Sequence, residues 1–361
     1  MPHYQERLER DLQQIRTQLG ELHARVDTAL RQATEAMLSG DDDLATRTII
    51  EDNPINRATR ELDRLSHSFI VRHLPSAGVL RFISSVMRLT VALERIGDYA
   101  CSISREALLL SKQPPKTVAA DISLMLEHSG KNLRGAIGAF IAADAERAES
   151  VRQASFASRR LFGKLYADLL RVGDKQSRPP QDLFAFLITF YRLERVTDQA
   201  RNICEETLFT VAGQAKPPRQ RNILFIDEKD CCLAPFAAAL ARKAYPESGR
   251  YASAGWTPAL AIDATAQSYM NSLGLDCGSH VPTQLATDNE ALAAHDIIIS
   301  LSGDVRERLS ELPFRTLFLH WDLQAASEEA PLDRERLAAL HRELSRRLHE
   351  LMDILVGERA G

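Results

Sequence analysis

The 361-residue chain lacks the features that would place it in a membrane, outside the cell or on nucleic acid. No apolar run approaches the roughly 20 residues that span a bilayer, and the polar segment 1–7 lacks a signal-peptide core. A formal net charge of −4 does not favour nucleic-acid binding. We therefore expect a cytoplasmic protein of about two domains that does not bind nucleic acid.

Cysteine is also scarce. The five cysteines are odd in number, and no pair of them has the spacing of a zinc finger. The ten histidines show no paired helical spacing typical of zinc sites. We interpret the cysteines as cytosolic thiols that are mostly buried. They are Cys101, Cys204, Cys231, Cys232 and Cys277.

The first part of the chain, up to about residue 211, has little strand signal. From Leu8 to Leu30, apolar residues recur every three or four positions, which predicts a long amphipathic helix. The same pattern predicts further helices near 44–70, 80–110, 118–143, 148–170 and 183–211. Six long helices with short joints indicate bundles, because each helix needs a partner for its apolar stripe.

Two of these helices carry the same motif, one hundred residues apart. Residues 93–98 read Leu-Glu-Arg-Ile-Gly-Asp and residues 193–198 read Leu-Glu-Arg-Val-Thr-Asp, with Glu106 and Glu206 in the same register beyond them. The repetition predicts two related three-helix units.

Each motif contains two acids four residues apart, which leave one face of a helix together. Oxygen ligands of this kind suit a hard cation such as magnesium, manganese or iron. A solvated helix face neutralised by Arg95 and Arg195 is the alternative. The candidate ligands are Glu94, Asp98, Glu194 and Asp198.

Past a proline-containing linker at 212–221, strand and helix patterns alternate. Candidate strands are 223–226, 250–253, 297–301 and 316–320, and a last helix covers 333–356. This order predicts a three-layer α/β domain with a four-stranded parallel sheet covered on both faces.

The loop after the first of these strands joins a strand to a helix N-terminus, which is a natural cradle for an anion. It contains Asp227, Glu228 and Asp230, which repel phosphate and could instead cap the helix and fill the cradle. Cys231 and Cys232 are candidate redox thiols, although these acids oppose thiolate formation and an ordinary packed thiol pair is the alternative.

The helical part, residues 1–211, resembles the PhoU family of phosphate-signalling regulators. The resemblance rests on the two repeated motifs and on residues 8–12, 50–56 and 80–83. It implies two three-helix bundles related by a pseudo-twofold axis and a homodimer. It also implies a divalent or ferric ion (iron, magnesium, manganese or zinc) at Glu94, Asp98, Glu194 and Asp198. The implied partners are the ATPase subunit of a phosphate ABC transporter and a phosphate-sensing histidine kinase, so membrane contact would be made only through partners.

Residues 222–361 resemble the low-molecular-weight protein tyrosine phosphatases and arsenate reductases. The resemblance rests on the strand and loop and on residues 253–255, 269–276, 296–302 and 320–323. That family's loop reads Cys, five residues, Arg, then Ser. Here the nucleophile position holds Asp227, the arginine position holds Leu233, and the general-acid position falls at Ala325. We therefore expect no catalysis from this domain.

Three hypotheses follow. The first is a regulator of phosphate transport or signalling that acts by protein contact and carries an inactive phosphatase-like module. The second is a residual phosphatase or arsenate reductase that uses Cys232. The third is a metal-dependent sensor.

Overall fold

The computed structural model describes residues 2–155, 165, 168–169, 171, 178–213, 220–275, 280–309, 312–313, 316–323 and 332–356. The chain divides into two compact units, Met1–Lys216 and Pro217–Gly361. Most of the predicted linker 212–221 and most of the predicted helix at 148–170 lie outside the described residues.

The first unit is helical, as predicted. Its helices pack as α1–α4 and as α5–α7, and one apolar core runs through both groups. The described helices are α1 (Pro2–Ser39), α2 (Asp42–Ile50), α3 (Asp52–His73), α4 (Ala77–Leu108), α5 (Lys116–Ala142), α6 (Ala145–Ser155) and α7 (Pro180–Ala212). Among the described residues, no helix combines the length and the apolar character that crossing a bilayer requires.

The prediction of one continuous helix over 44–70 was wrong. The helix ends at Ile50 and a second one starts at Asp52, after Glu51. Pro54 explains the break, because proline lacks the N–H of an internal helical bond and its ring clashes with the carbonyl four residues before it, at Ile50. Proline is tolerated in the first turn of α3, where the N–H would have no helical partner.

Helices α4 and α7, which carry the repeated motif, pack against each other in antiparallel orientation. The Ser85 hydroxyl near the start of α4 donates to Glu206 near the end of α7, at 2.8 Å. At the other end of the pair, Arg192 donates to the Ser102 hydroxyl at 3.1 Å. The two copies of the motif therefore run in opposite directions along this pair of helices.

The second unit is a four-stranded parallel sheet with strand order β2-β1-β3-β4, which confirms the predicted α/β class. The strands are β1 (Arg221–Asp227), β2 (Gly249–Gly255), β3 (Ile297–Ser300) and β4 (Leu317–His320). The described helices are α8 (Leu233–Ala244), α9 (Ala264–Ser272), α10 (Asn289–Ala293) and α11 (Arg334–Val356), with a 3-10 turn at Val305–Glu307.

Alternate residues of the central strands face two separate cores. Ile223 and Phe225 of β1 pack with the helices α8, α9 and α11 on one face. Leu224 and Ile226 pack on the other face with Leu292 of α10 and other apolar residues. This alternation explains why the strand reads as an unbroken apolar run in the sequence, since both of its faces are buried. It also brings the end of β1, and the loop after it, to the carboxyl edge of the sheet.

Candidate functional site

The loop that follows β1 is closed by the carboxylate of Asp227. This side chain is only 5% exposed, and its Oδ1 accepts from the backbone N–H of Lys229 at 3.0 Å and from that of Asp230. Its Oδ2 accepts from the backbone N–H of Ala234, in the first turn of α8, at 2.9 Å. The carboxylate therefore takes up amide groups that would otherwise point at a bound anion.

Two opposing effects act on this carboxyl group. Burial raises the pKa of Asp227 and the nearby charge of Asp230 adds to the rise, whereas the three backbone N–H donors lower it. The hydrogen bonds satisfy the group in a site with almost no access to water. The proposal from sequence that these acids fill the cradle is confirmed for Asp227.

Asp230 holds the loop from a second direction. It is fully buried and adopts a left-handed backbone with φ +48°. Its Oδ2 accepts from the backbone N–H of Thr283 at 2.8 Å and lies 3.0 Å from Nε2 of His280. Sequence reasoning missed His280 and Thr283, because both lie about fifty residues away along the chain and belong to no local motif.

Ser253, His280 and Asp230 do not form a catalytic triad. The Ser253 hydroxyl lies 3.5 Å from Nε2 of His280, which is the same nitrogen that contacts Asp230. A triad needs the imidazole to use one nitrogen toward the hydroxyl and the other toward the carboxylate. The arrangement can position the loop, but it cannot activate the serine.

The arginine position of the phosphatase loop holds Leu233, the first residue of α8. Its side chain packs against the apolar core of the unit and offers no donor. A guanidinium that contacts the loop belongs to Arg308, which lies 4.2 Å from the Trp256 ring centroid and forms a 2.6 Å ion pair with Glu228. It is therefore engaged by a loop carboxylate. The general-acid position, Ala325, lies outside the described residues.

The two loop thiols are poor nucleophiles in this environment. Burial raises the pKa of Cys232 to about 12, and the nearby charge of Asp227 adds to the rise. The pKa of Cys231 is raised as well, first by burial and then by Asp227. Since the thiolate is the reactive form, neither thiol is activated for attack.

A direct prediction concerns alkylation of Cys232. With a pKa about three units above the ordinary value of 9.0, it should react with iodoacetamide at pH 8 roughly 100-fold or more slowly than in the unfolded chain. Peptide mapping by mass spectrometry after timed labelling measures the rate for each cysteine separately. Equal rates in the folded and unfolded chain would show that Cys232 is a free thiol of ordinary reactivity.

The four candidate metal ligands have different surroundings. Asp98 is exposed, Glu94 is half-buried and Glu194 is buried. Partial desolvation of its carboxyl group, together with the charge of Asp52, raises the pKa of Asp98. Asp198 accepts from Arg195 at 3.1 Å and from Arg201 at 2.8 Å. These arginines supply the neutralisation that a cation would otherwise provide.

No three or more carboxylates, histidines or cysteines in the described part of the chain come together as a metal-ion site would require. On α7, Asp198 is ion-paired with Arg195 and Arg201, whereas on α4 Asp98 is exposed. The metal assignment stays a prediction.

Comparison with known proteins agrees with this division. Residues 19–107 and 122–207 match the PhoU domain, and residues 222–356 match the low molecular weight phosphotyrosine protein phosphatase family. The helical unit thus belongs to the class of PhoU-type helical bundles and the α/β unit to the class of phosphatase-type folds. The chain joins a PhoU-family domain to a domain of the low molecular weight phosphotyrosine protein phosphatase family.

Three relatives each match part of the chain. The phosphate-specific transport system accessory protein PhoU of Escherichia coli K12 is 28% identical over 204 residues, which are 56% of this chain and 85% of that protein. The crystal structure of PhoU from Pseudomonas aeruginosa is 27% identical with a TM-score of 0.54, over 57% of this chain and 99% of that one. The Erwinia amylovora tyrosine phosphatase AmsI is 19% identical with a TM-score of 0.30, over 40% of this chain and 98% of that one.

Proposed function

We propose that this protein is a cytoplasmic regulator of phosphate transport or phosphate signalling that acts by contact with other proteins. The support comes from the helical unit, whose curated relatives are named as accessory proteins of phosphate-specific transport systems. Its partners would be the ATPase subunit of a phosphate ABC transporter, a phosphate-sensing histidine kinase, or both.

The α/β unit serves this function without catalysing phosphoryl transfer. One observation carries this part of the proposal: the Asp227 carboxylate stands at the nucleophile position and accepts the backbone N–H groups of Lys229, Asp230 and Ala234. Attack on phosphorus needs a nucleophile and a cage of donors for the phosphoryl oxygens. Here the loop has neither, because the carboxylate supplies no activated sulfur and occupies the donors itself.

An activity assay tests the inactive module. We expect no hydrolysis of an aryl phosphate and no thiol-dependent arsenate reduction above the rate in buffer. Cys232→Ser is the matched variant, since it removes the thiol on which the enzyme hypothesis depends. Turnover by the native chain that disappears in this variant would refute the proposal for the α/β unit.

Affinity purification tests the regulatory part. The full chain, tagged at one end and expressed in cells grown at high and at low phosphate, should recover the transporter ATPase subunit or the sensor kinase in at least one condition. Mass spectrometry identifies the recovered proteins, and a tagged 217–361 segment expressed in parallel controls for contacts made by the α/β unit. Recovery of neither partner in either condition would count against the proposal.

Metal binding and dimer formation are further parts of the proposal. If a cation binds at the acid pairs, elemental analysis of the purified protein should find iron, magnesium, manganese or zinc, and the content should fall in Asp98→Ala. Asp198→Ala should have the smaller effect, because Arg195 and Arg201 already bind that carboxylate. Metal content that is unchanged in both variants would remove these residues as ligands, and light scattering would report whether the mass is twice 40.3 kDa.

A further inference from the structure

A groove of about 550 Å³ lies between helices α4 and α7 of the helical unit. Its floor contains Leu89, Ala92 and Ile203, and Phe209 lies at one end. Two arginines of α4, Arg88 and Arg95, and two acids of α7, Glu205 and Glu206, also line it.

The repeat-related position shows what fills such a groove. The hundred-residue offset relates Ala92 to Arg192, Gln199 to Tyr99 and Asn202 to Ser102. On that side, the guanidinium of Arg192 lies 5.4 Å from the Tyr99 ring centroid and donates to Ser102. Tyr99 packs against the core there.

On the open side, the positions that correspond to Tyr99 and Arg192 hold neither an aromatic residue nor an arginine. Ala92 and Gln199 replace them, and the shorter side chains leave the space as a groove. Arginine at 95 is kept as the counterpart of Arg195, and the counterpart of Leu109 is Phe209. The helices present the same frame on both sides, but on one side no side chain among the described residues takes the places of Tyr99 and Arg192.

The two arginines of the groove differ in their ion pairs. Arg88 forms a 2.7 Å ion pair with Glu206 and lies 5.5 Å from the Phe209 ring centroid. Arg95 is exposed and takes part in none of the ion pairs found among the described residues. The groove therefore offers an apolar floor beside one arginine, Arg95, that is in none of these ion pairs, while Glu205 of α7 is a further acid in the lining.

We propose that this groove binds a peptide segment of a partner protein that presents an aromatic side chain next to an acidic one. The aromatic ring would take the place that Tyr99 takes on the related side, packing over Ala92 and Ile203. The acidic residue would pair with Arg95. This site goes beyond the proposed function, and its test uses peptides, so it does not depend on whether phosphate-system partners are recovered.

Two variants alter the groove in different ways. The double variant Ala92→Arg/Gln199→Tyr builds into the groove the pair that closes the related side. Arg95→Glu leaves the groove open and reverses its free charge on an exposed surface, so it is expected to fold. Arg25→Glu, a charge reversal at an exposed site on α1, is the matched control.

The experiment selects ligands for the whole chain from a displayed library of random peptides of about seven residues. Selected peptides should contain an aromatic residue beside an acidic one. Their affinity, measured by fluorescence anisotropy, should fall at least about tenfold in both the filled variant and Arg95→Glu, and should be unchanged in Arg25→Glu. Circular dichroism melting shows whether each variant is folded.

Three results would overturn the proposal. The first is that no peptide is retained by the native chain. The second is that the retained peptides lack an aromatic residue. The third is that they bind Arg95→Glu as tightly as the native chain, which would place their site elsewhere even if the double variant failed to fold.

Discussion

Asp227→Ala is expected to destabilise the α/β unit by about 2–4 kcal/mol. The substitution removes a buried acceptor and leaves the backbone N–H groups of Lys229, Asp230 and Ala234 without their partner. Part of the loss is offset, because a buried carboxylate no longer has to be desolvated. Differential scanning calorimetry of the full chain measures the loss in the transition of the α/β unit, with the transition of the helical unit as an internal reference.

The same variant should acquire an oxyanion site. Three backbone N–H groups, those of Lys229 and Asp230 in the loop and of Ala234 in the first turn of α8, would then be free to donate to sulfate, phosphate or vanadate. At about ten times its dissociation constant, such an anion adds about 1.4 kcal/mol of stability, which corresponds to a few degrees in the melting temperature. The native chain should show no comparable shift, because its carboxylate occupies the donors and repels the anion.

Asp263→Ala is the control. Asp263 caps α9 by accepting from the backbone N–H groups of Thr265 and Ala266, each at 2.9 Å. Its loss should cost about 1 kcal/mol, as for other helix caps, without specific rescue by an oxyanion. A vanadate or phosphate shift of the same size in the native chain, Asp227→Ala and Asp263→Ala would contradict the closed cradle.

The architecture could be predicted from sequence because burial leaves a periodic trace. The strands have apolar runs since both faces of the sheet are covered, and α1 and α4 repeat apolar residues along one stripe. Pro54 also indicated in the sequence that the predicted second helix divides into α2 and α3. The prediction of one helix was wrong because it considered only the apolar periodicity. The sequence of the loop also predicted that it does not bind an anion as a phosphatase loop does, because the residue types at 227 and 233 are known without a structure.

The contacts that fix the loop could not be predicted in this way. Asp230 is bound by His280 and Thr283, and Glu228 is bound by Arg308 about eighty residues away. Such pairs depend on how the parallel strands bring distant loops to one edge of the sheet. No local spacing encodes them.

The groove between α4 and α7 shows a second limit. The repeat itself was visible in the sequence, and so were the unequal residues at 92 and 192 and at 99 and 199. Their meaning depends on the antiparallel packing of the two helices, which makes position 92 face position 202 and position 192 face position 102. An asymmetry between repeats becomes a binding hypothesis only when the structure shows that one side is filled and the other is open.

Gly255→Ala is expected to disrupt the same loop by a steric route. A methyl group at this position would lie 2.7 Å from the backbone nitrogen of Asp230 and 2.8 Å from the carbonyl carbon of Lys229. Backbone atoms cannot rotate away as the end of a flexible side chain could, so either the strand or the loop must move.

Neither of them is free to move. The backbone N–H of Gly255 donates to Thr283 at 2.9 Å, and its carbonyl accepts from Leu285 at 2.8 Å. On the loop side, Trp256 donates to the carbonyl of Asp227 at 3.1 Å and Ala259 to that of Lys229 at 2.8 Å. We therefore expect a loss of about 3 kcal/mol or more in the α/β unit.

Gly303→Ala separates this clash from a general effect of replacing glycine. Gly303 has a positive φ of +71° and nothing within 4 Å of the added methyl group, so its substitution should cost only about 1 kcal/mol. Calorimetry gives the two losses, and amide hydrogen exchange should show faster exchange over residues 228–232 in Gly255→Ala alone. If both variants lose the same small amount of stability, the end of β2 does not support the loop. The carboxylate of Asp227 must then be held in place without contact between Gly255 and the loop.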